Sequence, residues 1–197
     1  MLPTRRSRVV VLALAVVAIA CGNPTKPRAS TPNLLSLYAF GAITGAPANV
    51  PTAINFLGGP TRADARFSFD VAFDIDASGS VVVIPVRAVG GALGGALSPS
   101  GLKRIGMQRV SGSFGALRQA PSSGYDTLGT FSIVPGAVLA VEILDLANCF
   151  TGFGGNSLYA KLTVDSVNTT TRRLFTRSVV DPNCGYRGLV ADSIPTS

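Results

Sequence analysis

The stretch RFSFDVAFDID, from Arg66 to Asp76, decides the fold class. Phe67, Phe69, Val71, Phe73 and Ile75 alternate with Ser68, Asp70, Ala72, Asp74 and Asp76. Successive side chains of a β-strand point to opposite faces, so this alternation describes a strand with one dry face and one wet face. Ala77-Ser78-Gly79 is a turn signal, and Ser80 to Val89 reads as the returning strand of a hairpin. Pro85 removes one ladder donor there, which predicts an edge strand or a bulge.

A second hairpin lies near the C-terminus. Leu158, Ala160, Leu162 and Val164 alternate with Tyr159, Lys161, Thr163 and Asp165, Asn168 to Thr171 turns the chain, and Arg172 to Val180 returns. Arg173 and Arg177 are expected to face Lys161 and Asp165 across the ladder, where exposed pairs add only tenths of a kcal/mol. Weaker strands read as Leu34–Ile43, Ala53–Leu57, Leu102–Val110, Ser113–Arg118, Thr127–Val134 and Val138–Leu146. Gly90 to Gly101 (GGALGGALSPSG) reads as a flexible loop or a Gly-weakened strand. The total is about ten strands, with no helix longer than a turn or two.

Composition agrees. The 197 residues include 22 Gly, 13 Pro and a single Glu, at Glu142, so helix formers are scarce. Short Val-, Thr- and Phe-rich runs between turn clusters indicate an all-β domain. We expect an antiparallel β-sandwich, Ig-like in architecture, of about 8–10 strands. The alternative is a closed up-and-down β-barrel. One compositional regime runs from Leu34 to Ser197, the size of a single domain.

The N-terminus is different. Arg5, Arg6 and Arg8 precede an unbroken apolar run from Val9 to Ile19, the layout of an export signal. That run is shorter than the roughly 20 residues of a membrane-spanning helix. Ala18 and Ala20 also suit ordinary signal peptidase, which would leave a soluble secreted protein. Ala18-Ile19-Ala20-Cys21, however, resembles the lipobox of bacterial lipoproteins, with Ala in the first place where Leu is more usual. The resemblance covers only the leader and Cys21. It implies removal of residues 1–20, diacylglycerol on the Cys21 sulfur and a further acyl chain on the new amino terminus. Two or more acyl chains anchor a protein stably, while one holds it only marginally. Gly22 follows Cys21 where the enterobacterial sorting rule would require Asp for inner-membrane retention, which implies the outer membrane.

With Cys21 acylated, Cys149 and Cys184 remain as an even pair in an oxidising compartment, where a disulfide is the default. It would close 35 positions, stabilise by about 3–4 kcal/mol and tie the loop after Leu146 to the C-terminal segment. Residues 21–33 hold the lipidated cysteine and a Pro-, Ser- and Thr-rich spacer; Gly22 to Asn33 (GNPTKPRASTPN) is too polar to fold and is expected to extend roughly 35 Å from the bilayer.

The chain contains no His and no Trp. That excludes Ser-His-Asp and Cys-His catalysis and the usual zinc sites. Carboxylates alone serve glycosidases, which need two across a cleft. Asp70, Asp74 and Asp76 instead read as the solvated face of an antiparallel strand, so no enzyme activity and no cofactor are expected. Asp74, Asp76 and Ser78 match the opening of a calcium loop, but the twelfth position is Pro85 in place of a bidentate Glu, and the flanks are strands. A hairpin turn explains the same residues and is the preferred reading.

Of 17 basic side chains three leave with the leader, so 14 face 10 acidic ones, a formal +4. Lys26 and Arg28 sit in the spacer, where anionic lipid attracts them. No basic run is interleaved with aromatics, so nucleic acid is not an expected partner. Tyr38, Tyr125, Tyr159 and Tyr186 are scattered and read as half-buried strand residues, not a sugar platform. These observations leave two functional expectations. The first is a non-catalytic envelope lipoprotein that presents loops to an unknown envelope protein or ligand. The second is a carrier of lipid or a small apolar ligand in a lipocalin-like barrel, although the chain carries no lipocalin signature.

Overall fold

A computed structural model describes residues 27–40, 49–64, 66–89, 103–145, 149 and 157–194. Among the described residues there are ten strands: β1 (Thr31–Tyr38), β2 (Ala53–Asn55), β3 (Gly59–Thr61), β4 (Val71–Ile75), β5 (Val81–Pro85), β6 (Lys103–Val110), β7 (Phe131–Ile133), β8 (Val138–Asp145), β9 (Ser157–Asn168) and β10 (Arg173–Asp181). One helical turn, α1 (Val86–Val89), follows β5. Sheet A has the order β1-β10-β9-β8-β6 and sheet B the order β3-β2-β4-β5-β7, all neighbours antiparallel. The sheets do not close on each other, so the fold is a β-sandwich. This overturns the barrel alternative and removes the scaffold of a lipocalin-like carrier.

Between the sheets lies one core. Sheet B contributes Ile54, Phe73, Ile75, Val81 and Val83, with Phe69 just before β4. Sheet A contributes Leu37, Ile105, Met107, Leu139, Val141, Ile143, Leu158, Leu162, Val164 and Leu174. Full burial of side chains of this size contributes about 1.5–3 kcal/mol each. The alternation in β9 survives a bulge: Thr176 pairs with Val164 and Phe175 with Ser166, so Asp165 is the extra residue. Asp165 and Ser166 are therefore both exposed, while Val167 returns to the core.

Both hairpins form, β4 with β5 and β9 with β10, although the returning strand read as far as Val89 ends at Pro85 and Val86–Val89 is helical. Other expectations need correction. The first strand starts at Val71, so Phe67 is 41% exposed while Asp70 and Ala72 are buried. Pro85 sits neither on an edge strand nor in a bulge. It ends the internal strand β5, and β7 pairs only as far as Val83, so the missing donor faces no partner strand. Ser113–Arg118 forms a turn, not a strand, and β3 takes its place in the count.

The expected spacer also ends earlier, because Thr31, Pro32 and Asn33 pair with Val180, Val179 and Ser178. Ala39 N donates to the Arg172 carbonyl, which places the odd-numbered residues of β1 in hydrogen bonds to β10 and turns the even-numbered ones outward. Pro32 therefore occupies a place where no donor is needed, as prolines in edge strands do.

Candidate functional site

Cys21, the expected lipidation site, lies outside the described residues, as do Lys26 and the loop 90–101. Cys149 and Cys184 form a disulfide, Cα to Cα 5.5 Å, across a sequence separation of 35. Cys149 is fully buried, and the neighbouring Gly185 N donates to Ser157 O at the start of β9. The bond thus fastens the segment after β10 to the sandwich.

The calcium candidates do not converge. Asp76 Oδ1 accepts from Ser78 N, Ser78 Oγ and Ser80 N at 2.9, 2.6 and 2.9 Å. These bonds hold its carboxyl below the usual range, the Ser78 hydroxyl most strongly. Gly79 supplies the positive φ of +83° that the turn requires. Asp74 instead pairs with Arg172 Nη2 at 2.6 Å, which links the two hairpins. Among the described residues no group of three His, Cys, Asp or Glu is placed to hold a metal.

Asp70 is not on a wet face. Its Oδ2 accepts Phe56 N at 2.7 Å and its Oδ1 meets Lys103 Nζ at 2.9 Å, with only 2% of its side chain exposed. Asp70 precedes β4 in sheet B and Lys103 opens β6 in sheet A, so the pair spans the sandwich.

A polar cluster that the sequence did not single out lies on the outer face of sheet A. Register places Gly106, Glu142, Tyr159 and Asp181 in one row across β6, β8, β9 and β10. Tyr159 donates its hydroxyl to Glu142 Oε1 at 3.2 Å. Burial, and then Glu142, push its phenol above the usual range. Tyr125 closes over the row because position 106 has no side chain: a Cβ there would lie 2.8 Å from Tyr125 Cβ. The Tyr125 hydroxyl donates to Pro121 O at 3.0 Å, and burial raises its pKa as well. Asp181 Oδ1 accepts Asn183 N and Nδ2 at 2.9 and 2.6 Å, while Oδ2 has no partner. Burial raises the Asp181 pKa.

In the next row Lys161 is 4% exposed, a correction to its expected place on a soluble face. Its ammonium donates to Phe114 O and Leu117 O at 2.8 and 2.9 Å and lies 4.5 Å from the Phe114 ring centroid. Burial, then Arg118, lower its pKa. The Ser113–Arg118 turn is the cap on this lysine, whereas Arg177 pairs with Asp165 at 2.7 Å as expected. Arg173 does not face Lys161 and bonds Ser36 Oγ at 2.6 Å.

The cover over this face is made of residues 111–130 and 182–194, joined by Ala120 N to Arg187 O and Leu189 N to Arg118 O. The same C-terminal segment grips the start of the body. Arg28 N donates to Asn183 Oδ1 and Asn183 Nδ2 to Arg28 O, both at 2.7 Å, and Ser30 exchanges backbone bonds with Asp192 and Ser193. Most polar groups on this face are therefore engaged in holding loops; Asp181 Oδ2 and Gln108 Oε1 are buried without a partner. Asp181, with no exposure, is out of reach of a substrate from solvent.

No family model, no curated protein and no solved structure matches the chain.

Proposed function

We propose that the protein is a lipid-anchored lipoprotein of the cell envelope whose β-sandwich is a non-catalytic interaction domain. The observation that carries this reading is the pairing of cysteines. The Cys149–Cys184 disulfide leaves Cys21, at the end of the lipobox-like run, as the one cysteine without a partner thiol. The non-catalytic reading is supported by the lack of His and by the carboxylates Asp70, Asp74 and Asp76, which each serve a different structural contact. Gly22 favours the outer membrane.

The test is the intact mass of the mature protein after full-length expression in a lipoprotein-processing bacterium. The expected product begins at Cys21, carries diacylglycerol and acyl mass, and gains two hydrogens on reduction. Cys21→Ser should release the protein from the membrane fraction. An unacylated product would overturn the anchor. In an enterobacterial host Gly22→Asp should move the protein from the outer to the inner membrane.

A further inference from the structure

We propose that the free edge of β1, from Pro32 to Ser36, binds an extended acidic peptide segment that adds to sheet A as a sixth strand. Three of the four sheet edges offer little room. Strands β3 and β7 have three residues each, β3 contains Pro60, and the Ser132 carbonyl of β7 is taken by Arg109. The β6 edge is covered by a bridge between Met107 and Asp126. Strand β1 has eight residues.

The outward groups of β1 are occupied only at its ends. Ser30 is bonded to Asp192 and Ser193, Tyr38 N to Pro51 O, and Phe40 N to Phe73 O. Between them the N–H groups of Leu34 and Ser36 and the carbonyls of Pro32, Leu34 and Ser36 point away from β10 with no partner among the described residues. A slot closed at both ends admits a short strand, with main-chain bonds giving affinity and alternate side chains giving specificity.

The chemistry of the partner follows from Arg173. Its Nε is held by Ser36 Oγ on the edge strand, and its guanidinium lies 5.0 Å from the Phe175 ring centroid and 5.9 Å from that of Tyr38. It forms no ion pair with a described residue, whereas Arg177 on the same face is neutralised by Asp165. A guanidinium beside two rings, with only its Nε in use, suits a carboxylate at its Nη atoms. Leu34, 78% exposed, and Phe175, 42% exposed, supply apolar contact beside it.

A second copy of the chain fits less well. Edge-to-edge pairing of β1 would bring two sets of arginines together. The proposal rests on the reading of the sandwich as an interaction domain and is independent of the lipid anchor.

The test uses the full chain in detergent and three short capped peptides of alternating threonine and valine, with glutamate, glutamine or lysine at the centre. The glutamate peptide should bind about tenfold tighter than the glutamine twin, the factor for one charge-assisted bond. It should also slow hydrogen exchange at the Leu34 and Ser36 amides. Arg173→Glu, at an exposed position, should transfer the preference to the lysine peptide. Leu34→Pro, which removes an outward donor, should abolish binding of all three. Failure of all peptides at millimolar concentration, or a preference that Arg173→Glu leaves unchanged, would overturn the proposal. Concentration-dependent dimers that Leu34→Pro dissolves would overturn it in favour of self-pairing. An acylated chain that binds no peptide would sink this proposal alone, and an unacylated chain that binds would sink only the anchor.

Discussion

The two faces of sheet A solve burial in different ways. The inner face meets another sheet, whose backbone groups are already paired within itself. Its buried part is almost wholly hydrocarbon, and the two hydroxyls buried there, Thr176 Oγ1 and Ser178 Oγ, have no partner. The outer face meets loops. There Lys161, Thr163 and Tyr159 are covered, yet each has a hydrogen bond: Lys161 to Phe114 O and Leu117 O, Thr163 to Ala137 O, Tyr159 to Glu142. A loop carries carbonyls that no ladder uses, so it can accept from a buried donor, while a paired sheet cannot. The same sheet therefore tolerates a buried ammonium on one side and gains nothing from a buried hydroxyl on the other.

The largest effect is expected where the inner side departs from hydrocarbon through an ion pair. Asp70→Ala leaves Lys103 and the Phe56 amide without their carboxylate and should destabilise by about 3–5 kcal/mol in denaturant unfolding. A loss within error of zero would mean that the pair contributes nothing to holding the sheets together. Next comes the fastening of the outer cover. Cys149→Ser with Cys184→Ser should cost about 3–4 kcal/mol by loop entropy. Proteolysis should then cut first within 182–194.

Smaller changes of opposite sign set the faces directly against each other. Thr176→Val keeps the branched shape and removes an unpartnered hydroxyl, so it should stabilise by about 1–3 kcal/mol. Lys161→Met keeps the stem, removes both donors and should destabilise by about 1–3 kcal/mol, because two loop carbonyls lose their partner. If Lys161→Met stabilised as well, the loop carbonyls would not be compensating the buried charge, and the contrast between the faces would fail.

The sequence displayed the inner face better than the outer one. Period-two alternation in Arg66–Asp76 and in Leu158–Val164 is a local signal, and it located both hairpins and most of the core. It failed at Asp70 because that residue precedes the strand, where alternation no longer assigns a face, and at Lys161 because alternation tells which face a side chain takes but not what covers that face. The Phe56 amide and Lys103 reach Asp70 from distant parts of the chain, and the turn at Ser113–Arg118 reaches Lys161 from 44 positions away. Pro32 misled in the other direction, since proline marks a spacer and an outward edge position equally well. The cysteine pair was legible because counting needs no geometry. The free edge of β1 was not, because it depends on which of its residues face β10.

Asp181 sharpens the contrast: with Gln108, whose Oε1 is also unpartnered, it breaks the pattern on the loop-covered side, and of the two it alone carries a charge. It faces Tyr159 on β9 and Glu142 beyond it, under a cover that carries Arg187 and Asn183. Burial outweighs the two bonds from Asn183 and raises its folded pKa above 3.8. Between 3.8 and that raised value the folded state binds more protons than the unfolded state, so stability from this group falls as pH rises through the window. At neutral pH the ionised carboxylate is a net cost. Asp181→Asn keeps Oδ1 for Asn183 and carries no charge, so it should raise the unfolding midpoint at pH 7. That gain should shrink as pH falls toward 3.8, where the wild-type acid becomes neutral too. Thermal unfolding of both chains across this range measures the difference directly. A gain that did not change with pH would mean that the Asp181 charge carries no folding cost.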